Sequence, residues 1–226
     1  MSVKGKAIIF DLDGTLLDTL RDLGEAMNAV LREHGFSVHP IEAYRYFVGE
    51  GVEQMVRRTL PEEYRSRDTV GRLVNKMREE YARRWTDNTR AYPGVAEMLD
   101  ELERRSLPKA VLSNKPHNFT VEMTKKMLGA WSFVAIRGLT PETPRKPDPA
   151  TALEIAREME IPPSEIVLVG DTGVDMQTAN AAGMYAAGVL WGFRDAAELL
   201  EAGARSLLAA PHELFDLLER GNTDGA

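Results

Sequence analysis

Residues 6–15, KAIIFDLDGT, decide the fold of this chain. The apolar, β-branched run at 6–10 is typical of a short buried strand, and the DLDGT that follows it is typical of a turn. Apolar runs of similar length recur further along the chain, and they predict further strands at 109–113, 133–136, 165–169 and 185–190. The N-terminal stretch is therefore the first of several similar units.

Helical patterns separate these predicted strands. The spacing of apolar residues predicts helices at 95–105, 120–128 and 149–159. Short strands that alternate with helices of about 10–15 residues build βαβ units and a parallel sheet. We therefore expect an α/β fold with a Rossmann-like, doubly wound parallel sheet.

Residues 16–91 interrupt this alternation. They contain no convincing apolar strand, and their pattern predicts one helix at 20–33 and a long charged helix at 61–85. Basic and acidic residues balance in this segment, so the rest of the chain carries the whole net charge. We expect a core formed by 1–15 and 92–226, an inserted α-helical domain at 16–91, and a loose tail at 221–226.

Composition excludes several classes of protein. The chain has 226 residues, of which 43% are hydrophobic and 28% charged, so it is long and apolar enough to bury a core and is not disordered. A net charge of −7 argues against nucleic-acid binding, and the absence of cysteine excludes disulfides and thiolate chemistry. The apolar runs are too short for a signal peptide or a membrane span, so we expect a soluble, cytoplasmic protein without a membrane partner.

Polar side chains follow the ends of several predicted strands. Because the carboxyl ends of parallel strands meet at one edge of a sheet, we expect these side chains to converge there. Carboxylates crowded at one edge would repel each other unless a cation joined them, and Mg²⁺ prefers oxygen ligands. The converging residues are Asp11, Asp13, Gly14 and Thr15, then Ser113, Asn114 and Lys115, then Lys146, and finally Asp171 and Asp175.

These residues resemble the four sequence motifs of the haloacid dehalogenase-like hydrolases. The matching segments are DLDGT at 11–15, Ser113, KPDP at 146–149 and Gly170-Asp171 with Asp175, in the family's order. The insert after the first motif is similar to the family's helical cap of the first type. VLSNKP at 111–116 and Gly-Glu-Gly at 49–51 are most similar to the phosphoglycolate phosphatase-like members. The resemblance implies a Mg²⁺-dependent phosphatase that acts on a small phosphorylated metabolite.

The resemblance also implies a role for each motif residue. Asp11 is the expected nucleophile, and Asp13 is the expected general acid and base, whose main-chain carbonyl also binds Mg²⁺. Ser113 and Lys146 are expected to contact the transferring phosphoryl group. The remaining expectations are metal ligation by Asp11, Asp171 and Asp175, directly or through water for Asp175, and phosphate or substrate binding by Gly14, Thr15, Asn114 and Glu50.

Several other functions share parts of this sequence pattern with a phosphatase. Asp13 argues against a dehalogenase proper, because those relatives lack the second aspartate and work without Mg²⁺. The sole lysine of the insert, Lys76, does not match the Schiff-base lysine of phosphonoacetaldehyde hydrolase. A receiver domain would be about half as long, and a non-catalytic binding module would not need the full set of motif residues. A phosphosugar mutase remains open, although Thr15 stands where mutases more often have valine, and so does a pyrophosphatase.

The substrate depends on the insert, which carries no readable ligand motif. Glu50 lies between two glycines at a predicted helix start, where relatives often present a small polar residue. We expect an acid at this position to repel a carboxylate, which argues against 2-phosphoglycolate. The oligomeric state, monomer or homodimer, is open.

Overall fold

The structure, a computed structural model, describes residues 5–220, so the tail expected at 221–226 lies outside the described residues. Eight strands are present in this range. They are β1 (Ala7–Phe10), β2 (Leu17–Asp18), β3 (Arg90–Ala91), β4 (Lys109–Pro116), β5 (Ala135–Leu139), β6 (Ile166–Gly170), β7 (Tyr185–Val189) and β8 (Ser206–Leu208).

Ten α-helices lie between and after these strands. They are α1 (Leu20–Glu33), α2 (Tyr44–Phe47), α3 (Val52–Thr59), α4 (Arg67–Arg84), α5 (Val95–Arg104), α6 (His117–Met127), α7 (Ala150–Glu158), α8 (Gly173–Ala181), α9 (Ala196–Glu201) and α10 (Glu213–Arg220). Short 3₁₀ helices occur at Ile41–Ala43, Glu62–Tyr64 and Pro163–Glu165. None of the helices within 5–220 is long and apolar enough to cross a membrane.

Six strands form one sheet in the order β5-β4-β1-β6-β7-β8, and β2 pairs with β3 in a separate two-stranded sheet. Every neighbouring pair in the six-stranded sheet is parallel, which confirms the predicted α/β fold. The order runs outward from β1 in both directions, as in doubly wound folds. Phe10 pairs with Val111 on one side and Val169 on the other, so β1, β4 and β6 end at the same edge.

The core packs helices against this sheet. Ile9 of β1 is fully buried in a cluster with Ile155 of α7, Met176 of α8 and Leu199 of α9. All four residues of β1 have no exposed surface, as expected for a strand that lies between two neighbours and under helices. Burial of these apolar side chains holds the central strand, and with it the start of the first motif, in place.

The observed elements differ from the predicted ones at several places, and residues 16–91 contain the two-residue strands β2 and β3, where no strand was predicted. The predicted helix at 61–85 begins only at Arg67, because the side chain of Ser66 caps it by accepting a hydrogen bond from the Thr69 N–H at 3.3 Å. The predicted strand at 133–136 is displaced to β5, since pairing with β4 starts at Ala135. The short strand β8 was not predicted, because its three residues make too brief an apolar run to stand out.

The chain divides into two compact units, one of Met1–Leu16 with Ala91–Ala226 and one of Leu17–Arg90. In the second unit α1 packs against α4, and both helices are amphipathic. The buried side chains of α4 fall at helical spacing and include Val70, Leu73 and Met77. We refer to the second unit as the helical unit and to the first as the sheet unit.

One buried carboxylate holds the end of the helical unit to its first helix. Asp22 of α1 is 1% exposed, and it accepts hydrogen bonds from the main-chain N–H groups of Asn88 and Thr89. It also accepts from the Asn88 amide at 2.7 Å and from the Thr89 hydroxyl at 2.8 Å. A buried charge is tolerated when it is hydrogen-bonded this fully.

Replacement Asp22→Ala should therefore destabilise the protein by about 3 kcal/mol, because two main-chain N–H groups lose their buried acceptor. Denaturant unfolding followed by circular dichroism measures the change. Glu33→Ala, at an exposed position of the same helix, is the control and should change the free energy of unfolding by less than about 0.5 kcal/mol. Equal effects of the two substitutions would show that Asp22 does not anchor this segment.

Candidate active site

The first motif, at 11–15, follows β1 at the carboxyl edge of the sheet. Asp11 follows the last residue of the strand and is 6% exposed, and its N–H donates to the Val169 carbonyl at 2.9 Å. Gly14 has a φ of +85°, and a Cβ at this position would lie 2.2 Å from a carboxylate oxygen of Asp171. Only glycine fits here, so the turn brings the first motif directly against the last one.

Asp171 and Asp175 follow β6, and both are completely buried. Asp171 accepts a hydrogen bond from the Phe193 N–H at 2.8 Å and one from the Thr15 hydroxyl at 3.2 Å. Asp175 completes a capping box at the start of α8, accepting from the N–H and the hydroxyl of Thr172 at 3.1 and 2.8 Å. The helix cap fixes the Asp175 side chain in the site.

Three carboxylates form a group that could hold a metal ion. Asp11, Asp171 and Asp175 each present one oxygen, and these oxygens lie within 4.8 Å of one another. The Oδ1 atom of Asp11 is buried and lies 3.0 Å from the Lys146 ammonium. Three buried carboxylates beside a single lysine are suited to a hard divalent cation such as Mg²⁺.

Lys146 is the cation at the centre of this group. Its side chain is 4% exposed, and its ammonium lies 3.0 Å from Oδ1 of Asp11 and 2.7 Å from Oδ1 of Asp175. It also donates to the Leu112 carbonyl at 2.9 Å. Burial opposes the charge of Lys146, but the carboxylates of Asp11 and Asp175 outweigh it and raise the pKa of the lysine, so it stays protonated.

The pKa values of the Asp11 and Asp171 carboxylates are raised as well, which for an acid disfavours the charged form. Burial, together with the charges of Asp175 and Asp13, raises the pKa of Asp11 to about 6, although Lys146 lowers it. Burial and the charges of Asp175 and Asp11 raise the pKa of Asp171 well above its ordinary value. The single positive charge of Lys146 therefore does not compensate all the negative charge gathered here, and a divalent cation would.

Ser113 and Asn114 lie on β4 and are both 4% exposed. The Asn114 amide donates to the Lys146 carbonyl at 3.1 Å, and its oxygen accepts from the Lys146 N–H at 2.9 Å. This reciprocal pair fixes the loop that carries Lys146. The side chain of Asn114 thus positions the lysine, while the predicted phosphate contact of its main-chain N–H stays a prediction.

Two further contacts have no counterpart in the sequence predictions. Lys115 donates to both carboxylate oxygens of Asp13 at 2.9 Å, whereas the sequence predicts only that it lies near the site. The Trp191 indole donates to the Thr15 carbonyl at 2.9 Å. The only sequence signal was their position near the carboxyl ends of β4 and β7, because contacts between different strand ends depend on tertiary structure.

Glu50 lies in the helical unit, just before α3, and is not part of the carboxylate group. It forms an ion pair with Arg58, which also donates to the carbonyls of Tyr46 and Phe47 at 3.4 Å. Arg58 therefore offsets the negative charge of Glu50. This weakens the expectation that Glu50 repels a substrate carboxylate.

Comparison with known proteins gives the family. The model of the haloacid dehalogenase-like hydrolases matches residues 8–189. A phosphoglycolate phosphatase from Nitrosospira multiformis is 32% identical, with coverage of 96% of this chain and 97% of the relative. A phosphoglycolate phosphatase from Chromobacterium violaceum is 33% identical, with the same two coverages of 96% and 97%.

Solved structures agree with this relationship. A protein from Lactobacillus delbrueckii, provisionally described as a phosphoglycolate phosphatase, is 28% identical and superposes with a TM-score of 0.88. The superposition covers 94% of this chain and 98% of that one. The resemblance seen in the motifs is thus confirmed by a family match over most of the chain and by relatives above 30% identity, and this chain belongs to the haloacid dehalogenase-like hydrolases.

Proposed function

We propose that this protein is a Mg²⁺-dependent phosphatase that hydrolyses a small phosphate monoester through an aspartyl-phosphate. The observation that carries the proposal is the buried Asp11, whose carboxylate lies 3.0 Å from the Lys146 ammonium and within 4.8 Å of oxygens from Asp171 and Asp175. A carboxylate held this way can act as a nucleophile while neighbouring charges orient the phosphoryl group.

The reaction takes place in two steps. In the first, Asp11 attacks phosphorus, the bond from phosphorus to the ester oxygen breaks, and Asp13 gives its proton to the departing alkoxide. In the second, Asp13 takes a proton from water, which attacks the aspartyl-phosphate and releases inorganic phosphate and the free Asp11 carboxylate. Both steps need Asp13 on the side of the leaving group, opposite the nucleophile.

The other predicted residues bind and orient. Lys146 holds Asp11 in place and offsets charge on the phosphoryl group, and Ser113 donates a hydrogen bond to that group. Mg²⁺, when bound by the carboxylates of Asp11, Asp171 and Asp175 and the Asp13 carbonyl, would neutralise the phosphate oxygens and keep them oriented. Gly14, Thr15 and Asn114 shape the surrounding loops, and the helical unit is proposed to serve as the cap domain.

We propose 2-phosphoglycolate as the first substrate to test. Relatives that match nearly the whole chain are named phosphoglycolate phosphatase, and Arg58 offsets the charge of Glu50 that argued against a carboxylate. The partner is accordingly a small phosphorylated metabolite, in the cytoplasm, with no nucleic acid or membrane involved. A phosphosugar mutase and a pyrophosphatase are the alternatives.

Phosphate release should separate these possibilities. With Mg²⁺, the purified protein should release phosphate from 2-phosphoglycolate faster than from β-glucose 1-phosphate or pyrophosphate, and a chelator should abolish the release. The measurement is colorimetric detection of free phosphate across the panel. Conversion of β-glucose 1-phosphate to glucose 6-phosphate without free phosphate would instead identify a mutase, and preference for pyrophosphate a pyrophosphatase.

Replacement Asp11→Asn should lower turnover at least about 1,000-fold, since an amide cannot form the acyl phosphate. The fold should persist, because the change removes one of several mutually repelling buried charges. Phosphate release and circular dichroism measure the two effects. The control is Asp216→Asn, at an exposed position on α10, which should retain full activity. If Asp11→Asn turned over substrate as fast as this control, the assignment of Asp11 as the nucleophile would be refuted.

Mg²⁺ should also stabilise the folded protein. A free Mg²⁺ concentration of about 100 times the dissociation constant adds about 2.7 kcal/mol to the free energy of unfolding. Differential scanning calorimetry should therefore show a rise in Tm of several degrees, and Asp171→Asn should lose most of that rise while Asp216→Asn keeps it. A rise that is unchanged in Asp171→Asn would place the cation outside the carboxylate group.

A further inference from the structure

The proposed mechanism gives no role to Lys115, a buried charge in contact with one of its residues. Lys115 is 7% exposed, and its ammonium lies 2.9 Å from both carboxylate oxygens of Asp13. The regular pairing of β4 with β5 is interrupted between Leu112 and Pro116, within the stretch that carries the lysine. Lysine is among the residues that are least often buried, so the position of Lys115 beside the proposed acid calls for an explanation.

The position of Asp13 fixes where Lys115 lies relative to a substrate. A proton passes from Asp13 to the ester oxygen across a hydrogen bond of about 2.7 Å. With the lysine 2.9 Å from the Asp13 oxygens, its ammonium lies at most about 6 Å from that ester oxygen. Lys115 is therefore on the leaving-group side of the scissile bond.

The two lysines of the site, Lys146 and Lys115, lie beside different reacting groups, the nucleophile and the proposed acid. Lys146 directs its ammonium at Asp11, Asp175 and the Leu112 carbonyl, and an ammonium has three donors. Its charge is thus committed to the nucleophile and the metal-binding carboxylates. Lys115 is the cation that contacts the proposed acid, where the alcohol of the substrate departs.

We propose that Lys115 is a specificity-determining residue that binds the carboxylate which a phosphate ester of a short 2-hydroxy acid carries on its leaving alcohol. In such an ester the carboxylate oxygens are three bonds from the ester oxygen, which is within reach of a lysine placed as Lys115 is. An ammonium has three N–H donors, so it can contact the substrate carboxylate and Asp13 together. This inference rests on the proposed function and adds to it the residue that recognises the carboxylate of 2-phosphoglycolate.

A pair of matched substrates tests the assignment. Ethyl phosphate has the chain length of 2-phosphoglycolate but a methyl group in place of the carboxylate. Loss of a charge-assisted hydrogen bond to a substrate lowers kcat/KM for that substrate by about 10- to 100-fold. Lys115→Met should therefore lower the ratio of kcat/KM for 2-phosphoglycolate over ethyl phosphate by this factor, mainly by raising KM for 2-phosphoglycolate, and Lys115→Arg should restore part of the ratio.

Binding gives a second readout that does not need turnover. In the Asp11→Asn background, Lys115→Met should weaken the Kd of 2-phosphoglycolate by a similar factor in titration calorimetry with Mg²⁺ present. Lys125→Met removes the same charge from an exposed position on α6 and should leave both the ratio and the Kd unchanged.

The results separate this inference from the proposed function. If Lys115→Met slows both esters equally and leaves the Kd unaltered, the lysine only positions Asp13 and the specificity role is overturned. An unchanged ratio with full activity on both esters overturns it as well. If the unaltered protein released phosphate from neither ester, the proposed phosphatase function would be refuted, and the inference on Lys115 with it.

Discussion

Buried like charges are the constraint on which the site depends. Asp11, Asp171 and Asp175 lie together at the carboxyl edge of a parallel sheet, where low polarity strengthens their mutual repulsion. Lys146, in contact with Asp11 and Asp175, offsets part of this charge, and the pKa values of Asp11 and Asp171 are nevertheless raised. A folded protein with this arrangement is suited to a divalent cation, whose charge would complete the balance that the protein alone does not reach.

The surrounding contacts explain how such a cluster is held. Asp171 is oriented by Thr15 and by the N–H of Phe193, and Asp175 is built into the cap of α8. Asn114 braces the loop of Lys146 through two main-chain hydrogen bonds. Asp171 and Lys146 are thus positioned by neighbours from other strand ends, whereas Asp175 is held by the cap of its own helix, so the geometry depends on the register of the sheet and on this cap.

In the proposed function, charge also decides how the site discriminates among esters. Lys146 contacts Asp11, the proposed nucleophile, whereas Lys115 contacts Asp13, beside which we place the leaving alcohol. In the helical unit, Glu50 is paired with Arg58, so its position alone does not predict repulsion of an anionic substrate. Fold and family alone do not name a substrate, so the proposal on specificity is argued from these individual charges.

The sequence by itself determined five of the six strands of the sheet and the identity of the motif residues, because apolar runs, helical spacing and polar strand ends are local patterns. The first motif, the helix at 20–33 and the family resemblance were all readable in this way. Tertiary structure alone decided what the side chains touch: the contact of Lys115 with Asp13, the bond from Trp191 to Thr15, and the pairing of Glu50 with Arg58. These contacts join residues distant in sequence or set by loop geometry, and no local pattern encodes which of two nearby charges an arginine or a lysine will meet.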